Sequence, residues 1–236
     1  MMHAIQPLLA AFLCHAILSA AEPAPERRAA QDALKAYAPL VGEWKGVGQP
    51  QRGSSKGAWS ESADWAWKLS PDSASLVLTL GKGKYLKQAE LRPGKEPGSL
   101  VMAATLANGS TRTFAGKAGS GEKLALLAVG DGAEGPRRIT LTPLHETRFL
   151  LLLEGQDPSG KGWTRLGEVG YTRQGVAFAA GESGPTCIVT EGRGTLAVVY
   201  KGTTYYVCCT GCRDLFQEDP EAVLAEAKAR EQAKAR

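Results

Sequence analysis

The sequence predicts a mainly β protein, an antiparallel barrel of about ten strands followed by a small α+β module that collects thiols. Three observations carry this. Apolar residues alternate with polar ones in short runs from Leu40 to about Arg173, the period of a half-buried strand. Turn spellings separate those runs: Gly81-Lys82-Gly83, Asn108-Gly109, Asp131-Gly132 and Asp157-Pro158-Ser159-Gly160. Beyond a Gly/Ser/Pro hinge at Gly181 to Pro185, four cysteines fall within residues 187–212.

The chain has 236 residues, room for one ordinary domain and a smaller one. Ile5 to Leu18 is almost wholly apolar and Ser19-Ala20-Ala21 follows. This reads as a signal peptide over residues 1–21, cut before Glu22. The residues ahead of it carry His3 but no Lys or Arg, so an uncleaved anchor is the alternative. Cys14, with Leu13 before it, fits a lipoprotein cleavage site poorly. Export predicts a periplasmic or secreted protein. Without residues 1–21 the formal charge stays at +4, and His145, Cys187, Cys208, Cys209 and Cys212 remain. Lys and Arg form no basic run, which argues against a nucleic-acid partner. No segment after the leader is long and apolar enough for a membrane span.

Residues 22–37 read as a Pro/Ala-rich linker and a short amphipathic helix from Arg27 to Tyr37. Ala30, Ala33, Leu34 and Tyr37 share one side, and Pro39 is the stop. Its expected role is a cap on the next domain. Strands are expected at 44–49, 58–69, 75–81, 84–92, 100–107, 110–117, 123–129, 137–144, 147–154 and 163–172. Leu76, Leu78 and Leu80 alternate with Val77 and Thr79, and Ile139 and Leu141 with Thr140 and Thr142. Leu124 and Leu126 share a face after a turn at Gly119-Ser120-Gly121. Asn-Gly between strand-like runs signals a tight hairpin. Short connections throughout imply an antiparallel meander, and closure into a barrel removes its exposed edges.

Leu40-Val41-Gly42-Glu43-Trp44-Lys45-Gly46 opens the first strand with Gly-x-Trp. This resembles the calycin barrels: lipocalins, fatty-acid-binding proteins and nitrobindin-like domains. The resemblance covers about residues 38–175, includes a last strand like Arg165 to Arg173, and implies that Trp44 plugs the closed end. Trp59, Trp65 and Trp67 lie on the second strand, with Trp65 and Trp67 on one face. Trp44, Trp65 and Trp67 are candidates for an aromatic wall around a small apolar ligand; plain core packing is the simpler role. Nitrobindin-like barrels can bind haem iron through a His. Here His145 sits near Pro143 at an expected turn, and an ordinary turn histidine is the simpler role. A Ser–His–Asp triad would have to use the same residue.

In the C-terminal module (184–226), Cys187-Ile188-Val189 reads as a short strand. Leu196 to Tyr200 and Thr203 to Val207 read as a hairpin around Lys201-Gly202, and Cys208 to Cys212 as a tight turn. Arg213 to Gln217 begins one helix. Asp219-Pro220-Glu221 opens another with Asp at the N-cap and Pro at the first position. Val223 and Leu224 can pack back, and the charged, Ala-rich tail from Ala227 to Arg236 reads as a solvated helix end.

Cys187, twenty residues, Cys208, three residues, Cys212, then Phe216 and Asp219-Pro220-Glu221 resemble the YHS/TRASH family of metal-binding domains. The lead-in Tyr205-Tyr206-Val207-Cys208 matches as well. The resemblance implies a treble-clef-like module that handles or senses a metal, usually copper or zinc. The chain departs from the pattern at Ile188-Val189, where Gly-Met is common, in the additional thiol Cys209, and in having no His within the module.

The residues themselves are consistent with this chemistry. A hairpin can bring Cys187 beside the turn holding Cys208 and Cys212, and Cys212 sits where a helix starts, which favours its thiolate. Three soft sulfurs suit Cu(I), or Zn(II) with a fourth ligand. Cys209 is the nearest fourth candidate; water or an unidentified carboxylate is equally open. A disulfide is the alternative in an oxidising compartment. The expected protein is therefore an exported, non-enzymatic metal binder with ligands Cys187, Cys208 and Cys212 and Cys209 auxiliary. A second reading is a barrel for a small apolar ligand with a zinc or disulfide staple. A third, a thiol-redox or metal-dependent enzyme, ranks last because no base or carboxylate pair is expected beside the thiols.

Overall fold

The computed structural model describes residues 25–118, 123–130, 132, 134–157, 159–174 and 184–235. The leader, the 119–121 turn and most of the hinge before Pro185 lie outside the described residues, as does the side chain of His145. No helix among the described residues is long and apolar enough to cross a membrane.

All ten expected strands form. They are β1 (Gly42–Gln49), β2 (Trp59–Leu69), β3 (Ala74–Gly81), β4 (Leu86–Pro93), β5 (Ser99–Leu106), β6 (Thr111–Lys117), β7 (Leu124–Ala128), β8 (Arg138–His145), β9 (Arg148–Gln156) and β10 (Trp163–Arg173). Each pairs antiparallel with its chain neighbour, and β10 pairs with β1 to close the barrel. The alternation seen in the sequence is the inside–outside alternation of the wall. Leu76, Leu78, Leu91, Leu100, Met102, Phe114, Leu126, Ile139, Leu141, Leu151 and Val169 point inward and are buried.

One end of the barrel is plugged by aromatics. Trp44 packs edge-on against Phe149 with centroids 4.8 Å apart, and Phe149 stacks on Tyr171 at 4.3 Å. The Trp44 indole N–H donates to the Leu40 carbonyl at 2.7 Å. Arg173 lies over the Trp44 ring at 4.2 Å and donates to the carbonyls of Val41 at 2.8 Å, Glu146 at 2.7 Å and Pro39. Its guanidinium thus satisfies chain ends that the barrel leaves open. Gly42 shows why Gly precedes Trp here: its φ is +124°, and a Cβ would lie 2.7 Å from an Arg173 guanidinium nitrogen. Next to this plug Glu61 is buried, accepting from the Tyr171 hydroxyl and, at 2.7 Å, from the Trp59 indole.

The N-terminal helix α1 (Pro25–Leu34) continues as a 3-10 turn over Lys35–Leu40, so Pro39 falls inside the helical run rather than ending it. The ring's fixed φ fits a 3-10 turn, and short 3-10 runs at helix ends are common. Leu34, Tyr37 and Leu40 enter the core, and α1 packs against β3 and β4.

After the hinge come a hairpin, β11 (Leu196–Tyr200) with β12 (Thr203–Val207), and two helices, α2 (Thr210–Glu218) and α3 (Pro220–Lys234). Lys201 and Gly202 have φ of 48° and 77°, as a two-residue primed turn requires. Asp219 caps α3 by accepting from the Ala222 N–H at 3.0 Å. The tail is more than a solvated end. Arg230 donates to the Ile188 carbonyl at 2.5 Å and Lys234 pairs with Glu191 at 2.6 Å. Such anchors are polar, so an apolar stripe is not needed to fix the helix. Arg27 of α1 makes a two-point pair with Glu226 of α3 at 2.9 and 3.1 Å, tying the module to the cap.

Gly42→Ala is expected to cost about 1–3 kcal/mol, because it combines a backbone conformation unsuited to a side chain with a clash against Arg173. Thermal unfolding should show a Tm lower by several degrees, with the β-rich circular dichroism spectrum retained.

Candidate metal centre

The module reaches the barrel where a strand runs past its neighbour. β1 pairs with β2 only as far as Gly42 opposite Trp65, so the backbone of Trp67 on that edge has no strand partner. An unpaired backbone group removed from water is costly. The turn Cys209-Thr210-Gly211 fills the place. The Trp67 N–H donates to Cys209 Sγ at 3.4 Å. Gly211 lies so close that a Cβ there would be 1.7 Å from the Trp67 carbonyl oxygen, which only glycine permits.

That docking holds the start of α2 in place, with Cys209 at the N-cap and Cys212 in the first turn. Cys187 arrives from the opposite side on a compact knuckle. Its N–H donates to Gly192 O at 2.7 Å, its carbonyl accepts from Glu191 N–H at 2.9 Å, and Ile188 N–H donates to Tyr206 O of β12 at 2.9 Å. Glu191 takes the left-handed conformation that closes this loop, at φ 60°.

The sulfurs of Cys187, Cys208 and Cys212 lie within 4.8 Å of one another. Cys208 and Cys212 are 3.5 Å apart. Two sulfurs on one tetrahedral Zn(II) stand about 3.8 Å apart for bonds of about 2.3 Å, so small movements close the cluster on an ion. All four thiols are free and buried, so no disulfide consumes a ligand. Cys209 stands beside the cluster, 3.9 Å from Cys208, with its sulfur engaged by Trp67. The Thr190 hydroxyl, which the sequence did not single out, sits 3.4 Å from Cys208 Sγ.

Hydrogen bonding sorts the charges. Bonds from the Cys208 and Cys212 thiols pull Cys187 far below the usual thiol range, with Thr190 assisting against burial. Cys209 is lowered by the same two thiols. Cys208 and Cys212, which donate, are pushed up. Four sulfurs so close, two drawn down and two pushed up by the hydrogen bonds they share, form a donor set that suits a soft or borderline cation.

The tryptophans are core residues. Trp44, Trp65 and Trp67 are 1, 0 and 3 % exposed; Trp67 also borders the seam beside Val189 and Thr190. One expectation is corrected. A carboxylate pair does stand beside the thiols. Glu43 and Asp64, register partners on β1 and β2, line a cavity with Cys208 and Cys209. Partial enclosure, then Glu43, then Cys209 push the Asp64 carboxyl up. Their outward parity was legible, but the module that meets them comes from more than a hundred residues away. Gly53-Ser54-Ser55-Lys56-Gly57 spells Gly-x-Ser-x-Gly. It forms the turn between β1 and β2, with Ser55 exposed and no helix following, so it is no nucleophile elbow.

No protein-family model matches the chain, and no curated protein matches it. The class defined by fold and site is a closed ten-strand β-barrel bearing a three-cysteine cluster that can hold a metal ion.

Gly211→Ala should push the α2 turn off β2 and destabilise the protein by about 2 kcal/mol or more. Denaturant unfolding of the full chain measures this; a loss under about 0.5 kcal/mol, within the ordinary surface range, would mean the turn does not rest on Trp67.

Proposed function

We propose that this chain is an exported, non-enzymatic metal-binding protein. It handles Cu(I) or Zn(II) through Cys187, Cys208 and Cys212, with Cys209 as an auxiliary thiol. The observation that carries the reading is the convergence of three free, buried sulfurs, one from the knuckle and two from the turn into α2, to within 4.8 Å of one another. A buried polar cluster of this kind is costly unless its groups are matched, and a cation matches them. The likeness of the cysteine spacing to YHS/TRASH domains supports the same conclusion, as does the apolar leader for export. Three sulfurs complete a trigonal Cu(I) site; Zn(II) takes a fourth donor from water or Cys209. The barrel serves as the carrier that orients the module.

Full-length protein purified without oxygen should contain about one Cu or Zn per chain, the count for a single closed site. Cys208→Ser and Cys212→Ser should lose most of it, whereas Cys209→Ser keeps at least half. Unchanged metal content in Cys208→Ser would falsify the assignment.

Affinity should rise with pH. Cys208 and Cys212 hold their protons above the ordinary thiol range and release them only on binding. Zn(II) affinity then increases about tenfold per pH unit for each proton displaced, and acid expels the ion. Competition titrations at several pH values measure the slope; a flat profile near neutral pH contradicts thiol ligation.

A further inference from the structure

We infer that the ion enters and leaves by Cys208, through the seam between barrel and module, with the Glu43–Asp64 pair as its first stop. The inference rests on the metal-binding reading above and adds that the site exchanges its ion rather than sealing it in.

The three candidate ligands are not equally enclosed. Cys187 and Cys212 are 1 and 0 % exposed, while Cys208 is 6 % exposed. Two cavities, of about 370 and 520 Å³, meet at Cys208, Thr195, Arg173 and Arg193, and neither touches Cys187 or Cys212. Water takes about 30 Å³ per molecule in the liquid, so either cavity admits a hydrated ion. A structural site closes all four positions with protein donors. Here one corner of the sulfur triangle, Cys208, faces the two cavities.

The wall of the smaller cavity carries the second observation. Glu43 and Asp64 stand directly opposite each other across β1 and β2, and like charges so placed destabilise a sheet. Among the described residues neither carboxylate has a cationic or hydrogen-bonding partner, although Arg173 and Arg193 border the same cavity. Arg173 is committed to three backbone carbonyls. A passing cation relieves the repulsion between the two carboxylates. The guanidiniums keep it to the carboxylate wall, and Cys209, 3.9 Å from Cys208, is the next donor inward.

The test follows capture of Zn(II) by the full-length, metal-free protein, and its release to a chromogenic chelator, by stopped flow. Glu43→Gln/Asp64→Asn and Glu43→Lys/Asp64→Lys alter exposed positions and leave the sulfurs intact. Both variants should still bind one Zn(II) per chain but capture it at least about fivefold more slowly at low salt, with the charge-reversed pair slower. The difference should fade near 1 M salt, where screening is nearly complete. Equal rates in wild type and the charge-reversed protein overturn the route. Failure of the wild-type chain to take up Zn(II) or Cu(I) overturns the metal reading itself, and this inference with it.

Discussion

A β-strand that outruns its neighbour leaves amide groups facing a gap, and β2 does this at Trp67. The gap is filled by the Cys209–Gly211 turn, through a backbone N–H held by a sulfur and a carbonyl covered by a glycine. The place of Cys208 and Cys212 follows from that seating, because both lie on or beside the same turn. So does the seam, whose walls are the outer face of β1 and β2 on one side and Cys208 and Cys209 on the other. The barrel therefore decides where the thiols sit and what surrounds them.

The remaining ties reinforce that geometry at a distance. Arg27 and Glu226 join the cap helix to α3 with side chains 8 and 14 % exposed. A pair so enclosed contributes less through its own attraction than through the penalty for breaking it. Arg230 and Lys234 hold the knuckle from behind by way of Ile188 and Glu191. The module has few large apolar residues of its own, chiefly Val198, Val207, Phe216 and Val223. A small core of that kind gains proportionally from any cation that binds the folded form alone.

Hydrogen bonds order the thiols of the cluster. Cys187 and Cys209 accept hydrogen bonds and Cys208 and Cys212 donate them. The shared hydrogen bonds thus divide the four thiols into two that are drawn down and two that are pushed up. Thr190, beside Cys208 and hydrogen-bonding to Cys187, supports the anionic side of the balance.

Much of this was legible along the chain. The strand pattern is local: alternation and turn residues set each segment, and all ten appear close to their expected bounds. Gly42 and Trp44 were readable as a pair, but the reason for the glycine is Arg173, at the far end of the barrel sequence. Cysteine spacing indicated that Cys187 meets Cys208 and Cys212, because a hairpin and a helix start are short-range structures with predictable reach. Local order says nothing of how two such bodies meet. That Glu43 and Asp64 would face Cys208, that Cys209 would engage Trp67, and that the charged tail would grip the knuckle depend on contacts across more than forty to more than a hundred and forty residues. The first two exist only once the closed sheet presents an unpaired edge for the turn to fill.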